Sequence, residues 1–236
     1  MNRYIKNLLF AITAAATFSS TKSFSKTCYY DPQDLNISGD TFYQQKWNCS
    51  KYRIKKYWND FNMIPYYWND GFGYDDPCNA NKPLGRMFSA IHALKVSKNY
   101  DYDSILNWAY DYTEGDISTL RAKCGDGTLN AENTLSVVTF YWDGIYGGKS
   151  VVRRAGILLH EARHTRRIHN GFSWCPDGSS CDYSWSYGGA NQYHVLWLWW
   201  FGRHGKNSTS ALKNDALRDA RWRHDNRFYK NPGFNI

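Results

Sequence analysis

The chain has 236 residues, of which 29 are lysine or arginine and 21 are aspartate or glutamate, and its formal net charge is +8. This length fits one domain with a single core better than two domains. The positive excess is moderate and is not concentrated in a Lys/Arg stripe, so a nucleic acid is not a predicted partner. The charge is compatible with attraction to anionic cell surfaces or acidic substrates.

The first 25 residues have the pattern of a secretory signal peptide. Arg3 and Lys6 form a short basic region, an apolar stretch covers residues 8–18, and small residues follow. The apolar stretch has roughly half of the ~20 residues that a membrane-spanning helix needs. We therefore predict a signal peptide at residues 1–25, one mature domain at residues 26–236, secretion to the exterior or periplasm, and no membrane span.

Six cysteines follow the predicted signal peptide, at positions 28, 49, 78, 124, 175 and 181. An even number of cysteines in an exported protein predicts disulfide bonds. Six cysteines allow about fifteen connectivities, and only Cys175 and Cys181 are close enough in sequence to be paired at this stage. The chain has no C-x-x-C pair, which disfavours a zinc site built from thiolates.

In the first half of the mature chain, the predicted secondary structure changes from loops to helices near Pro83. Residues 28–78 are rich in Tyr, Trp, Asn and Asp and show little helical periodicity, which predicts loops and short strands held by disulfides. From Pro83 to Leu94, apolar residues recur three and four positions apart, which predicts a helix. A shorter helix is predicted over residues 104–112, with Asp103 as its N-cap.

The second half combines one strand with further helices. Residues 135–142, LSVVTFYW, are mostly β-branched and aromatic, and they form the clearest predicted strand. A long helix is predicted over residues 149–169, and two more over residues 190–201 and 210–223. This order predicts an α+β fold with a small mixed sheet and C-terminal helices, stabilised by disulfides.

The segment GILLHEARHTRRIHNG, residues 156–171, concentrates the residues that carry chemistry. His160 and His164 are four positions apart, so on an α-helix they lie about 40° apart around the axis and roughly 6 Å apart along it. Two imidazoles in this arrangement can bind one Zn²⁺ ion. Glu161 can reach a water molecule on that ion, which predicts that Glu161 acts as a general base.

The residues His160-Glu161-Ala162-Arg163-His164 match the HExxH signature of the zincin metallopeptidases in full. The wording HEARH, followed by a cysteine-bounded loop, Cys181-Asp182 and Tyr187-Gly188, resembles a group of secreted bacterial HEARH proteins. The resemblance covers this helix and its surroundings.

The resemblance to the zincins implies a zincin-like fold and a zinc metallopeptidase, most simply a metalloendopeptidase that acts on peptide or protein substrates. In zincins, a strand beside the active-site helix pairs with the extended substrate. Residues 135–142 are well placed to be that strand.

A catalytic zinc ion takes three protein ligands and keeps one position open, so a third ligand is needed. His169 is the first candidate, because a break near the predicted helix end can turn it back toward the ion. Asp182 is the second, because a Cys-Asp step shortly before Tyr-Gly is similar to the aspzincin pattern. His194, on the following helix, is the third.

Tyr187 is a second candidate catalytic residue, because a phenol near the ion can donate a hydrogen bond to the developing oxyanion. Arg163, Arg166 and Arg167 are interpreted first as structural cations near a helix C-terminus and second as groups that attract substrate.

Two other functions are open at the level of the sequence. The first is a non-catalytic binding protein of the cell exterior or envelope, whose aromatic residues and basic charge contact glycan or peptidoglycan, and whose histidines hold a structural ion or none. The second is a zinc hydrolase that cleaves a cell-wall amide bond, since the chemistry of the ion is the same.

Overall fold

The computed structural model describes residues 28, 37–69, 71–125, 129–146, 149–171, 175 and 181–236. The predicted signal peptide lies outside these residues. The elements in chain order are α1 (Ser38–Trp47), α2 (Lys51–Asp60), α3 (Pro83–Val96), α4 (Ile105–Asp116), β1 (Thr119–Lys123), β2 (Ala131–Thr134), β3 (Val137–Tyr141), α5 (Trp142–Tyr146), α6 (Val151–His164), α7 (Ala190–His204) and α8 (Ser210–Asn226). Among the described helices, none has the length and apolar character that crossing a membrane requires.

Helices and one small mixed sheet confirm the predicted α+β class. The strand order is β1-β3-β2, with β1 parallel and β2 antiparallel to β3. The strand predicted over residues 135–142 is confirmed as β3, but it is shorter. Leu135 and Ser136 have φ angles of +52° and +63°, so they form the turn from β2 and not part of the strand.

The prediction of loops and short strands over residues 28–78 is wrong for much of this region, because α1 and α2 occupy it. Tyr43 and Trp47 lie one turn apart and are both buried in α1. The ring of Tyr57 in α2 lies 5.3 Å from that of Trp47. Aromatic residues have modest helix propensity, so burial against the rest of the fold stabilises these helices more than local preference does.

The other predicted helices are confirmed with shifted ends. α4 has Ser104 at its N-cap instead of Asp103. α6 ends at His164 and not at residue 169. The amides of Thr165 and Arg166 bond to carbonyls three residues earlier, which tightens the last turn and ends the helix. His169 therefore lies in an irregular segment beyond α6.

Three disulfides join Cys28 to Cys124, Cys49 to Cys78 and Cys175 to Cys181. The last bond confirms the pairing predicted from sequence. It fixes the backbone immediately before Asp182, and the amide of Gly171 donates to the carbonyl of Cys181 at 2.9 Å. The segments on either side of this disulfide are therefore held together.

Helix α6 packs against α3, α4, α7 and β2. Its Leu158, Leu159 and Ala162 are fully buried. At its N-terminal end, the guanidinium of Arg154 pairs with Asp40 of α1. The same guanidinium donates to the carbonyl of Ile145 at 2.9 Å. These contacts fix the start of α6 and so determine where its C-terminal half lies.

A buried histidine is expected to make the fold sensitive to acid. His92 of α3 is 2% exposed, and its Nδ1 is hydrogen bonded to the hydroxyl of Tyr57. Burial, and then the charges of Arg53, Lys95 and Lys46, lower the pKa of His92 to about 3. In the unfolded chain, histidine titrates with a pKa of about 6.5. Below that pH, the unfolded state takes up a proton that the folded state does not bind.

The stability contributed by neutral His92 is therefore fully present above about pH 6.5 and is lost as the pH falls toward 3. We expect this group to lower the free energy of unfolding by about 2 to 3 kcal/mol between pH 7 and pH 4.5. Denaturant titrations of wild type and His92→Gln at both pH values measure the difference. An equal loss of stability in the two proteins contradicts the prediction.

Candidate metal centre

The two histidines of α6 converge on one point. Their Nε2 atoms lie 3.1 Å apart. Two nitrogens bound tetrahedrally to one zinc ion at about 2.05 Å are separated by about 3.3 Å, so this spacing fits a shared ion. Burial is the main cause that lowers the pKa of both His160 and His164. Both rings are therefore neutral near pH 7, which is the form that binds metals.

His169 completes a group of three imidazoles. One nitrogen from each of His160, His164 and His169 lies within 4.8 Å of the others, and all three residues are partly buried. Within the described ranges, this is the one group of three or more side chains of the metal-ligating types that is close enough to share an ion. His169 reaches the group because the chain turns back after α6 ends.

Two of these histidines are oriented by hydrogen bonds at Nδ1. The Nδ1 of His164 donates to the carbonyl of Arg167 at 2.9 Å. The Nδ1 of His169 lies 2.9 Å from the Oδ1 of Asp182. Such bonds hold the opposite nitrogen, Nε2, toward a metal, as in the carboxylate–histidine–metal arrangement of many metalloproteins.

Asp182, the second candidate for the third ligand, lies behind His169 and outside the group of three. It is fully buried, and its Oδ2 accepts a hydrogen bond from the amide of Asn191 at 3.0 Å. A Cβ at Gly189 would lie 2.4 Å from the same oxygen, so a glycine is needed for this close approach. The contacts of Asp182 are therefore those of a residue that orients His169.

His194, the third candidate, is also outside the group. It lies on α7 and is 1% exposed. Its ring centre is 5.7 Å from that of His160. Of the three candidates for the third ligand, His169 is thus the one that the fold brings to His160 and His164.

Glu161 follows the first histidine and is 6% exposed. Burial, and then the charge of Glu132, raise the pKa of Glu161 to about 8. Glu132 lies on β2, next to Asn133. The amide nitrogen of the Asn133 side chain donates to the carbonyl of Glu161 at 2.6 Å and to the hydroxyl of Thr165 at 3.0 Å. These bonds fasten β2 to the end of α6.

Among the described strands, the edge strand that contacts α6 is β2 and not the predicted one. β3 pairs with strands on both sides, so it cannot also pair with an extended substrate. Sequence reasoning missed both Glu132 and Asn133. The only signal was the segment AENT, which is too short and too polar to be recognised as a strand.

Tyr187 lies on a short 3-10 turn, Trp185–Tyr187. Its hydroxyl donates to the carbonyl of Ile168 at 2.8 Å, and the guanidinium of Arg167 lies 5.1 Å from its ring centre. Tyr187 therefore supports the segment that carries His169. Its role toward an oxyanion stays a prediction.

Arg163 and Arg166 make structural contacts, which the sequence did not specify. The Nε of Arg163 donates to the carbonyl of Gly188 at 2.8 Å, and its guanidinium lies 4.4 Å from the ring centre of Tyr193. The guanidinium of Arg166 makes a bidentate hydrogen-bonded pair with the carboxylate of Asp116. Arg163 thus connects α6 to the segment just before α7. Attraction of substrate by these arginines stays a prediction.

The site therefore consists of three converging imidazoles, a buried glutamate and an edge strand fastened to the same helix. No family model, curated protein or solved structure matches this chain. The resemblance to the zincins accordingly depends on the residues of the HEARH segment and its surroundings. The function has to be argued from the geometry of the site.

Proposed function

We propose that this protein is a secreted zinc-dependent hydrolase, most simply a metalloendopeptidase. The observation that carries the proposal is the convergence of His160, His164 and His169, with the buried Glu161 next to His160 in the chain. The cysteine pairs support secretion, because disulfides persist in oxidising compartments.

The donor set fits zinc. Imidazole nitrogen is a common zinc ligand, and three histidines with one further open position are typical of catalytic sites. Among the described residues, no fourth His, Cys, Asp or Glu belongs to the group, which supports an open position and disfavours a closed structural site. When bound, Zn²⁺ would act as a Lewis acid that polarises a carbonyl and lowers the pKa of a water molecule to about 7.

The residues of the chain supply the remaining chemistry. The positive charge of a bound Zn²⁺ would favour the carboxylate form of Glu161, which would then take a proton from the attacking water. Its buried position keeps Glu161 from contact with bulk solvent. His164 and His169 keep fixed orientations through Arg167 and Asp182. β2 offers an edge along which an extended peptide can lie. That edge favours a peptide over the cell-wall amide bond, which remains the second possible substrate.

Metal content tests this proposal. We expect purified protein to hold a single zinc ion and to lose hydrolysis of peptides when a chelator removes the ion, with recovery after zinc is added. His160→Ala, His164→Ala and His169→Ala should each weaken zinc binding by more than about 100-fold. His204 lies outside the group, so His204→Ala should bind zinc as wild type does. A folded wild-type protein without bound zinc, measured by elemental analysis, is incompatible with the proposal.

A further inference from the structure

The three candidate ligands differ in one respect. His164 and His169 each have a hydrogen-bond partner at Nδ1. The Nδ1 of His160 is buried and has no partner among the residues that the structure describes. A buried donor without a partner costs about 1 to 3 kcal/mol, so a partner is expected close by.

The neighbour of His160 is another histidine with unused nitrogens. His194 is 1% exposed, and within the described chain neither of its ring nitrogens has a hydrogen-bond partner. The two ring centres are 5.7 Å apart, with 70° between the ring planes. A hydrogen bond of about 3 Å between facing nitrogens places two imidazole centres roughly 5 Å apart. The ring centres of His160 and His194 are therefore within about 1 Å of the separation that such a hydrogen bond requires.

The sequence makes room for His194 against α6. Gly156 lies one helical turn before His160, and a Cβ at that position would be 2.4 Å from the Nε2 of His194. Trp197 follows His194 by about one turn of α7, and its indole nitrogen donates to the carbonyl of Val152 at 3.2 Å. This bond holds α7 against α6 at the level of Gly156. The glycine and the indole together place the ring of His194 beside that of His160.

We propose that His194 is the outer partner of His160: one of its ring nitrogens accepts a hydrogen bond from the Nδ1 of His160 and so directs the Nε2 of His160 toward the metal. The inference rests on the proposed metal site. It makes His194 a positioning residue and not a ligand. Each of the three ligands then has its own orienting group, which is Arg167 for His164, Asp182 for His169 and His194 for His160.

Zinc affinity and coordination test this role without any measurement of hydrolysis. His194→Leu removes the acceptor, and we expect its zinc dissociation constant, measured by competition with a chromogenic chelator, to rise about 10- to 100-fold. His194→Gln has an oxygen that can accept the same bond, so it should recover part of the affinity. Asp182→Leu, which removes the observed partner of His169, is the matched comparison and should weaken binding to a similar extent.

Cobalt substitution separates a positioning residue from a ligand. We expect the Co²⁺ form of His194→Leu to keep the absorption spectrum of wild type, because no ligand is lost, whereas His169→Ala should change it. Gly156→Ala serves as a second variant, since its methyl group displaces the ring of His194 without removing any histidine. It should also weaken zinc binding, although alanine favours a helix by about 1 kcal/mol over glycine.

The outcomes distinguish this inference from the proposed function. If wild type binds no zinc, the hydrolase and the inference both fail. If wild type binds zinc and folded His194→Leu binds it equally well, the inference alone is overturned. A cobalt spectrum of His194→Leu that changes as that of His169→Ala does would make His194 a ligand and also overturn it. Should His194→Leu fail to fold, Gly156→Ala gives the same decision, because it displaces the ring of His194.

Discussion

Replacement of Glu161 by glutamine is expected to leave zinc bound and to lower the rate of peptide hydrolysis by about 10²- to 10⁴-fold. Glutamine has the shape of glutamate but cannot take a proton from the attacking water. Glu161 is 6% exposed, so bulk solvent cannot readily take its place as the base. The measurement is kcat on any peptide that wild type cleaves, together with the zinc content of the same preparation.

Glu114→Gln is the matched control for this variant. Glu114 is exposed on α4, and the same chemical change there should leave both kcat and zinc content as in wild type. Full hydrolysis by Glu161→Gln removes Glu161 from the mechanism. Loss of zinc in this variant assigns Glu161 a role in building the site, and the rate then says nothing about a general base.

The largest effect on stability is expected from Asp40→Asn. Asp40 of α1 is fully buried, and its carboxylate pairs with Arg154 of α6 and lies 3.9 Å from Arg86 of α3. Both arginines are also fully buried. Asparagine keeps the shape of the side chain and removes the charge that compensates two guanidinium groups. Loss of one partner from a buried ion pair typically costs about 3 to 5 kcal/mol.

We expect Asp40→Asn to lower the free energy of unfolding by about 3 to 5 kcal/mol, measured by urea titration at pH 7. The free energy of unfolding of a folded domain is only about 5 to 15 kcal/mol, so the variant should be close to unfolding. Asp101→Asn is the control, because Asp101 pairs with Lys206 where the two side chains are 70% and 51% exposed. That change should cost about 1 kcal/mol or less. Equal effects of the two variants contradict the assigned role of Asp40.

The sequence predicts those features that depend on neighbouring residues. The spacing of His160 and His164 gives their convergence directly, because four residues are close to one helical turn. The clear strand and the later helices have strong patterns of their own. Cys175 and Cys181 are six residues apart, and their pairing follows from that short separation.

Features that depend on long-range contacts could not be predicted in this way. The pair of Asp40 and Arg154 is separated by 114 residues, and nothing in either local sequence indicates it. The helices near the N-terminus owe their stability to aromatic packing with the rest of the fold. The relation of Asp182 to His169 depends on where α6 ends and how the chain turns. A helix end is set by a few hydrogen bonds and is the least predictable part of an element.

The shortness of β2 limits what this edge of the sheet can do. Its four residues, at about 3.3 Å each, are about 13 Å long. A strand of that length gives another copy of the chain few backbone groups to pair with, and it carries a charged side chain, Glu132. Both properties oppose edge-to-edge association into aggregates. Among the described strands, the edge of β2 beside α6 is thus poorly suited to pairing with another copy of the chain.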